Sequence, residues 1–197
     1  MFLIKYEILD DERQMLRKIN SLEEIESELF NVRGQLELTF NNSKDGFVDN
    51  EIPYSGEPLI TWFSRLNEVL FQLMENSFIE MELPASYDMW YEFKIENEDV
   101  LVSEVRVEDE DYIEKFIVST PKKQNEVLWE ECISKDELYC RVLDVTNNFI
   151  KDILMINGLF SQTNEVKQLK ELYLKVKKYN DLKIEKKRCE ISAGIKK

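Results

Sequence analysis

The chain has 197 residues, 43% of them apolar, and carries a formal net charge of −14 with no histidine at all. A chain of this length fits one domain and typically buries roughly 70% of its unfolded surface, so a sizeable core is expected. The missing histidine excludes Ser–His and Cys–His nucleophile pairs and every His-containing zinc site, and three cysteines are too few for an all-thiolate one.

Phe2, Ile4, Tyr6 and Ile8 alternate with Lys5 and Glu7, which predicts a first strand. Asp10-Asp11-Glu12 reads as a polar turn, with Gln14 to Ile19 returning as a hairpin partner. Ser21 and Glu24 form a capping box that opens a short helix to about Phe30, with Leu22, Ile25 and Leu29 on one face. Gln35 to Phe40 is the next strand. The stretch from Asn41 to Gly56 is rich in turn residues, and Pro58 then stands at the first position of a helix. Leu59, Trp62, Phe63, Leu66, Leu70 and Leu73 recur at helical spacing, a face that should cover a sheet.

Three strands are expected at Phe78 to Leu83, Met89 to Ile95 and Leu101 to Val107, the last two joined as an antiparallel hairpin. Tyr112 to Ser119 offers one more, before a loop from Thr120 to Asn125. Ser134 and Glu137 repeat the capping box. The helix behind them carries Leu138, Val142, Val145, Phe149, Ile153 and Ile156 and stops at Asn157-Gly158. A final helix from about Asn164 places Leu169, Leu172, Val176 and Tyr179 on an a/d seam, a route to self-association. Strands followed by two long helices predict an α+β fold: an antiparallel sheet of about five to seven strands, packed by an amphipathic helix. Residues 1–162 form the acidic body, and 163–197 form a basic helix and tail packed on it.

No Walker phosphate loop and no Gly-x-Gly-x-x-Gly occurs, so no cofactor and no metal is expected. Asp45 to Asp49 has the look of a calcium loop, but it lacks the alternating acids and closing Glu of an EF-hand, and a turn fits better. A carboxylate-only hydrolase, metal-dependent or not, survives these exclusions, although no acid pair has sequence neighbours that mark it as pKa-perturbed. The apolar stretches are all broken by charge, so no membrane span is expected. The N-terminal segment reads as a strand and not as a signal peptide. Cys132, Cys140 and Cys189 then read as reduced thiols of a cytoplasmic protein.

Charge is distributed unevenly. Residues 167–197 carry +7 and the rest −21, so the body repels nucleic acid and anionic membranes and attracts a basic protein. The densest acidic run is Glu108-Asp109-Glu110-Asp111, extended by Glu114 and preceded by Glu104. As a binding feature it would steer a basic partner; as an ordinary loop it is simply solvated. Trp90 falls on the Glu92 side of its strand, where an exposed indole beside carboxylates would anchor an interface. Trp90, Glu92, Glu104, Glu108, Asp109, Glu110, Asp111 and Glu114 are therefore the candidate partner-binding residues.

Asn20-Ser-Leu-Glu-Glu-Ile-Glu-Ser-Glu-Leu29, with Gly34-Gln-Leu-Glu-Leu-Thr-Phe40 behind it, resembles the opening of small immunity proteins from bacterial polymorphic-toxin systems. The segment from Ile52 to Leu70 is similar to a helix found in bacterial proteins encoded near such toxins. The resemblance covers the first half of the chain and implies a protein that binds and blocks one cognate toxin. An acidic adaptor module is the alternative, and a carboxylate hydrolase a further one.

Overall fold

The computed structural model describes residues 1–194 except 29–30, 55, 85, 87, 108–114 and 121–124, and the side chains of these except 26–28, 125 and 186–194. It is α+β, with two antiparallel sheets in place of the single sheet expected. The first has four strands: β1 (Phe2–Glu7), β2 (Arg33–Phe40) and β3 (Ser43–Phe47) in that order, with β4 (Glu57–Pro58) pairing the start of β2. The second has five, in the order β8 (Ile117–Val118), β5 (Phe78–Glu82), β6 (Met89–Glu96), β7 (Asp99–Val107), β9 (Asn125–Ser134).

Asp10–Lys18 is a helix, α1, and not the expected hairpin partner. Its three leading acids face the positive end of the helix dipole, and Arg17 and Lys18 face the negative end, so the run read as a turn is a helix start. In α2 (Leu22–Glu28) the capping pattern forms: Ser21 Oγ accepts from the Glu24 amide at 3.2 Å, and a Glu24 carboxylate oxygen accepts from the Asn20 amide at 3.0 Å. In α4 (Lys135–Ile156) Ser134 stands at the N-cap, but its side chain makes no capping hydrogen bond.

The expected calcium-loop or turn segment is strand β3. Asn41 takes a positive φ of 49° in the two-residue connection, and Phe40 pairs with Ser43. Gly46 is required where it stands. Its φ is +70°, and a Cβ there would lie 2.2 Å from the Leu36 carbonyl oxygen. Strand β9 was not foreseen, because its middle carries exposed Val127 and Leu128 and alternates poorly.

Helix α3 (Leu59–Gln72) buries the expected face, Leu59, Trp62, Phe63, Leu66 and Leu70, against both sheets and α4. The last helix, α5 (Asn164–Gly194), buries Val166, Leu169 and Val176 against α3 and α4, with Tyr179 partly exposed at the far end of the expected seam. The sheets meet through β2 and β3 of the first and β6 and β9 of the second. Phe40 of β2 stacks near Trp129 of β9 and Tyr91 of β6, with ring centroids 5.2 and 5.5 Å away. Glu131 of β9 accepts hydrogen bonds from Asn41, Asn42 and Ser43 on the β2–β3 hairpin. Among the described residues no helix is long and apolar enough to cross a membrane.

Candidate partner-binding cleft

Where β3, β4 and α3 approach β6 and β7, a cleft of about 230 Å³ opens. Asp45, Glu57 and Glu104 line it together with Trp62, Met89 and Leu83. Each carboxylate is aimed by one neutral aromatic donor. The Tyr91 hydroxyl donates to Asp45 Oδ2 at 2.5 Å, and the Trp62 indole N–H donates to Glu57 Oε2 at 2.7 Å. The Trp129 indole N–H donates to Glu104. Such donors fix orientation without cancelling charge. Among the described residues none of the three forms an ion pair.

The crowding shows in their protonation. Burial pushes the Glu57 carboxyl up, and the Asp45 charge adds to the push, while the Trp62 hydrogen bond opposes it. Burial and then Asp45 raise Glu104 likewise, against the Trp129 bond and Arg106. Tyr91 is fully buried, and its hydroxyl is held well above the usual tyrosine range by burial and by Asp45. The contrast is Glu37 on β2, a buried carboxylate clamped by Lys44 Nζ at 2.6 Å and Lys5 Nζ at 2.8 Å and lowered by both. Glu37 is thus paired with two lysines, whereas among the described residues the cleft carboxylates are paired with none.

A rim of exposed apolar side chains adjoins the cleft. A recess of about 60 Å³ is lined by Phe47 and Tyr54 and shares Leu36, Gly46 and Glu57 with it. Ile52 stands exposed on the same loop. Buried Gln35 holds that loop. Its amide nitrogen is shared among the carbonyls of Asp49, Ile52 and Tyr54 at 3.1, 2.8 and 3.0 Å, and its oxygen accepts from the Asp49 amide at 2.8 Å. One side chain thus fixes the loop at four points.

Of the eight residues picked out from the sequence three are described, Trp90, Glu92 and Glu104, and among these Glu104 alone lines this cleft. Trp90 is a correction. It is fully buried with Val105 and Val107, packed by Val118, on the opposite face of the second sheet from Tyr91 and Glu104, so it anchors no surface. Half-buried Glu92 shares the Trp90 face. Glu108, Asp109, Glu110, Asp111 and Glu114 lie outside the described residues. No sequence neighbours mark an acid pair as perturbed, yet in the fold the Asp45 charge helps to raise both Glu57 and Glu104. Sequence could not show it: the three acids lie on separate elements, and no sequence period relates them.

Among the described residues no group of acids and cysteines has the arrangement of a metal site. A larger cleft of about 550 Å³ lies between α3, α5 and residues 115–117, but its charges are mixed. Its arginine, Arg65, is committed to the Glu82 carbonyl at 2.6 Å and sits over Phe116 at 4.3 Å. Comparison with protein-family models, with curated proteins and with solved structures finds no match for this chain.

Proposed function

We propose that this protein is a non-enzymatic binder that neutralises a basic protein toxin in the cytoplasm, with the acidic cleft as its recognition site. The observation that carries the reading is the trio Asp45, Glu57 and Glu104, oriented by neutral donors and, among the described residues, engaged in no ion pair. A body of charge −21 outside its basic C-terminal segment steers a basic partner, which raises association rates at low salt toward roughly 10⁸ M⁻¹s⁻¹. The resemblance of residues 20–29 and 34–40 to the opening of immunity proteins, and of residues 52–70 to a helix in proteins encoded near such toxins, supplies the class of partner.

The test is co-expression with the product of the gene beside this one. Protection from a toxic neighbour, with tight binding that weakens steeply with salt, supports the reading. A neighbour that stays toxic in its presence overturns it.

Raised carboxyls beside aromatic walls also favour a second reading, an acid–base hydrolase in which Glu57 or Glu104 donates a proton and Asp45 acts as base. Size argues against it. Sites for whole small molecules usually span about 300–1,000 Å³, and the cleft of about 230 Å³ is better matched to a single side chain.

A further inference from the structure

The cleft and its rim have different chemistry, and together they specify a partner surface more narrowly than net charge does. The rim offers Phe47 at the end of β3, exposed by 37%, and Ile52 and Tyr54, exposed by 42 and 64%, on a loop that Gln35 fixes in place. Pre-organised apolar side chains are what a contact surface needs, since little ordering remains to be done on binding. The cleft beside them takes a group that is cationic, flat and able to meet several carboxylate oxygens at once. An arginine guanidinium presents five donors in a fixed plane, is weakly hydrated and stacks on aromatic faces, whereas a lysine ammonium is a compact, strongly hydrated point charge.

We infer that the cleft between Asp45, Glu57 and Glu104 receives one arginine side chain of a protein partner, while an apolar residue next to that arginine packs on Phe47 and Tyr54. This rests on the basic-partner reading and deepens it. The guanidinium would enter past Met89 and Trp62, which line the cleft, and satisfy the carboxylate oxygens that the aromatic donors leave free. Three acids that form no ion pair among the described residues, with only the more distant Arg106 charge acting on Glu104, are then explained: the pairing cation comes with the partner. The complex is an interface with a single buried arginine anchor at its centre and an apolar contact at its side, the arrangement from which most binding energy is drawn in protein interfaces.

The three indoles make the test direct. Trp62 and Trp129 report from the cleft carboxylates, and Trp90, in its separate core on the other face of the sheet, is an internal control. ¹⁵N-labelled protein is titrated with N-acetyl-arginine methylamide, and with its lysine and citrulline counterparts. The expected result is a saturable shift of the Trp62 and Trp129 indole signals at a Kd on the order of millimolar, with Trp90 still. The shift should be several-fold weaker for the lysine compound, absent for citrulline, and lost in the Glu57→Gln/Glu104→Gln double variant.

Equal responses to arginine and citrulline, or to arginine and lysine, overturn the assignment, as does a response that survives in the double variant. An unchanged Trp90 signal in the variant shows that it is folded. The two claims also separate. If the arginine compound binds but the neighbouring gene product does not, the toxin reading falls and the pocket stands. If the double variant still binds and blocks that product with undiminished affinity, the pocket falls and the toxin reading stands.

Discussion

Tyr91 and Asp45 join the two sheets: the hydroxyl of a fully buried tyrosine on β6 donates to a carboxylate on β3 at 2.5 Å. A hydrogen bond to a charged acceptor is worth about 1.5–3 kcal/mol net. Asp45 is half-buried and can regain water, so Tyr91→Phe should cost about 1.5 kcal/mol, at the lower end of that range. Urea unfolding at neutral pH measures it. A change below a few tenths of a kcal/mol would show that the bond contributes nothing to holding the sheets together.

Glu57 and Glu104 predict a trade between binding and stability. Both carboxyls titrate higher folded than unfolded, chiefly through burial. The folded state then holds more protons between the two pKa values, so stability from these groups is fullest below the unfolded value, about 4.3, and declines as pH rises through the folded one. Neutral glutamines escape that penalty while still accepting from the indoles. Glu57→Gln/Glu104→Gln should melt roughly 2–4 °C above wild type at pH 7, equivalent to about 1 kcal/mol. The gap should close below pH 4. A double variant less stable than wild type at pH 7 would mean that the carboxylates are structural.

Glu37 should behave in the opposite sense. Its carboxyl is lowered by hydrogen bonds from Lys44 and then Lys5, so its contribution is present above the ordinary carboxylate value and is lost as pH falls through the depressed folded one. Glu37→Gln should cost about 1–2 kcal/mol at pH 7, because both lysines are half-exposed and recover water. Measured at pH 2.5 the loss should shrink markedly. A penalty that does not change with pH would assign the effect to packing.

The contrast between the foreseen helix face and the unforeseen cleft shows what one sequence displays. Leu59, Trp62, Phe63, Leu66 and Leu70 were legible because a helix imposes its period on neighbours in the chain, and their burial satisfies it locally. Strand β3 was hidden because Ser43, Lys44, Asp45 and Gly46 lack apolar alternation; its pairing with β2 comes from the Asn41 connection and the Gly46 conformation. The cleft was hidden for a different reason. Asp45, Glu57 and Glu104 come together only because β3, the entry to α3, and β7 converge, a relation with no sequence period. Trp90 was misplaced because strand alternation gives two faces without saying which is covered; here both are, Tyr91 on one side and Trp90 on the other.

Gln35 is the residue on which the rim depends, and its loss should uncouple fold from binding. The side chain sits 2% exposed within β2 and holds residues 49–54 through four hydrogen bonds. Gln35→Leu keeps the volume but leaves the Tyr54 carbonyl and the Asp49 amide to find water, while the Asp49 and Ile52 carbonyls keep only their bonds within the loop. Stranded buried polar groups cost about 1–3 kcal/mol, and the loop escapes most of that by moving outward, so the global loss should be no more than about 2 kcal/mol. The local loss should be larger. The Ile52 and Tyr54 amides, bonded within the loop to Asp49 and Ile52, should exchange with solvent at least ten-fold faster, while the amides of α3 keep their protection. Affinity for the basic partner should fall with them, because Ile52 and Tyr54 would have to be ordered on binding. Hydrogen exchange followed residue by residue tests this. Unchanged protection across residues 49–54 would mean that the loop is held by its own turns, and Gln35 would then be no more than a buried polar residue of β2.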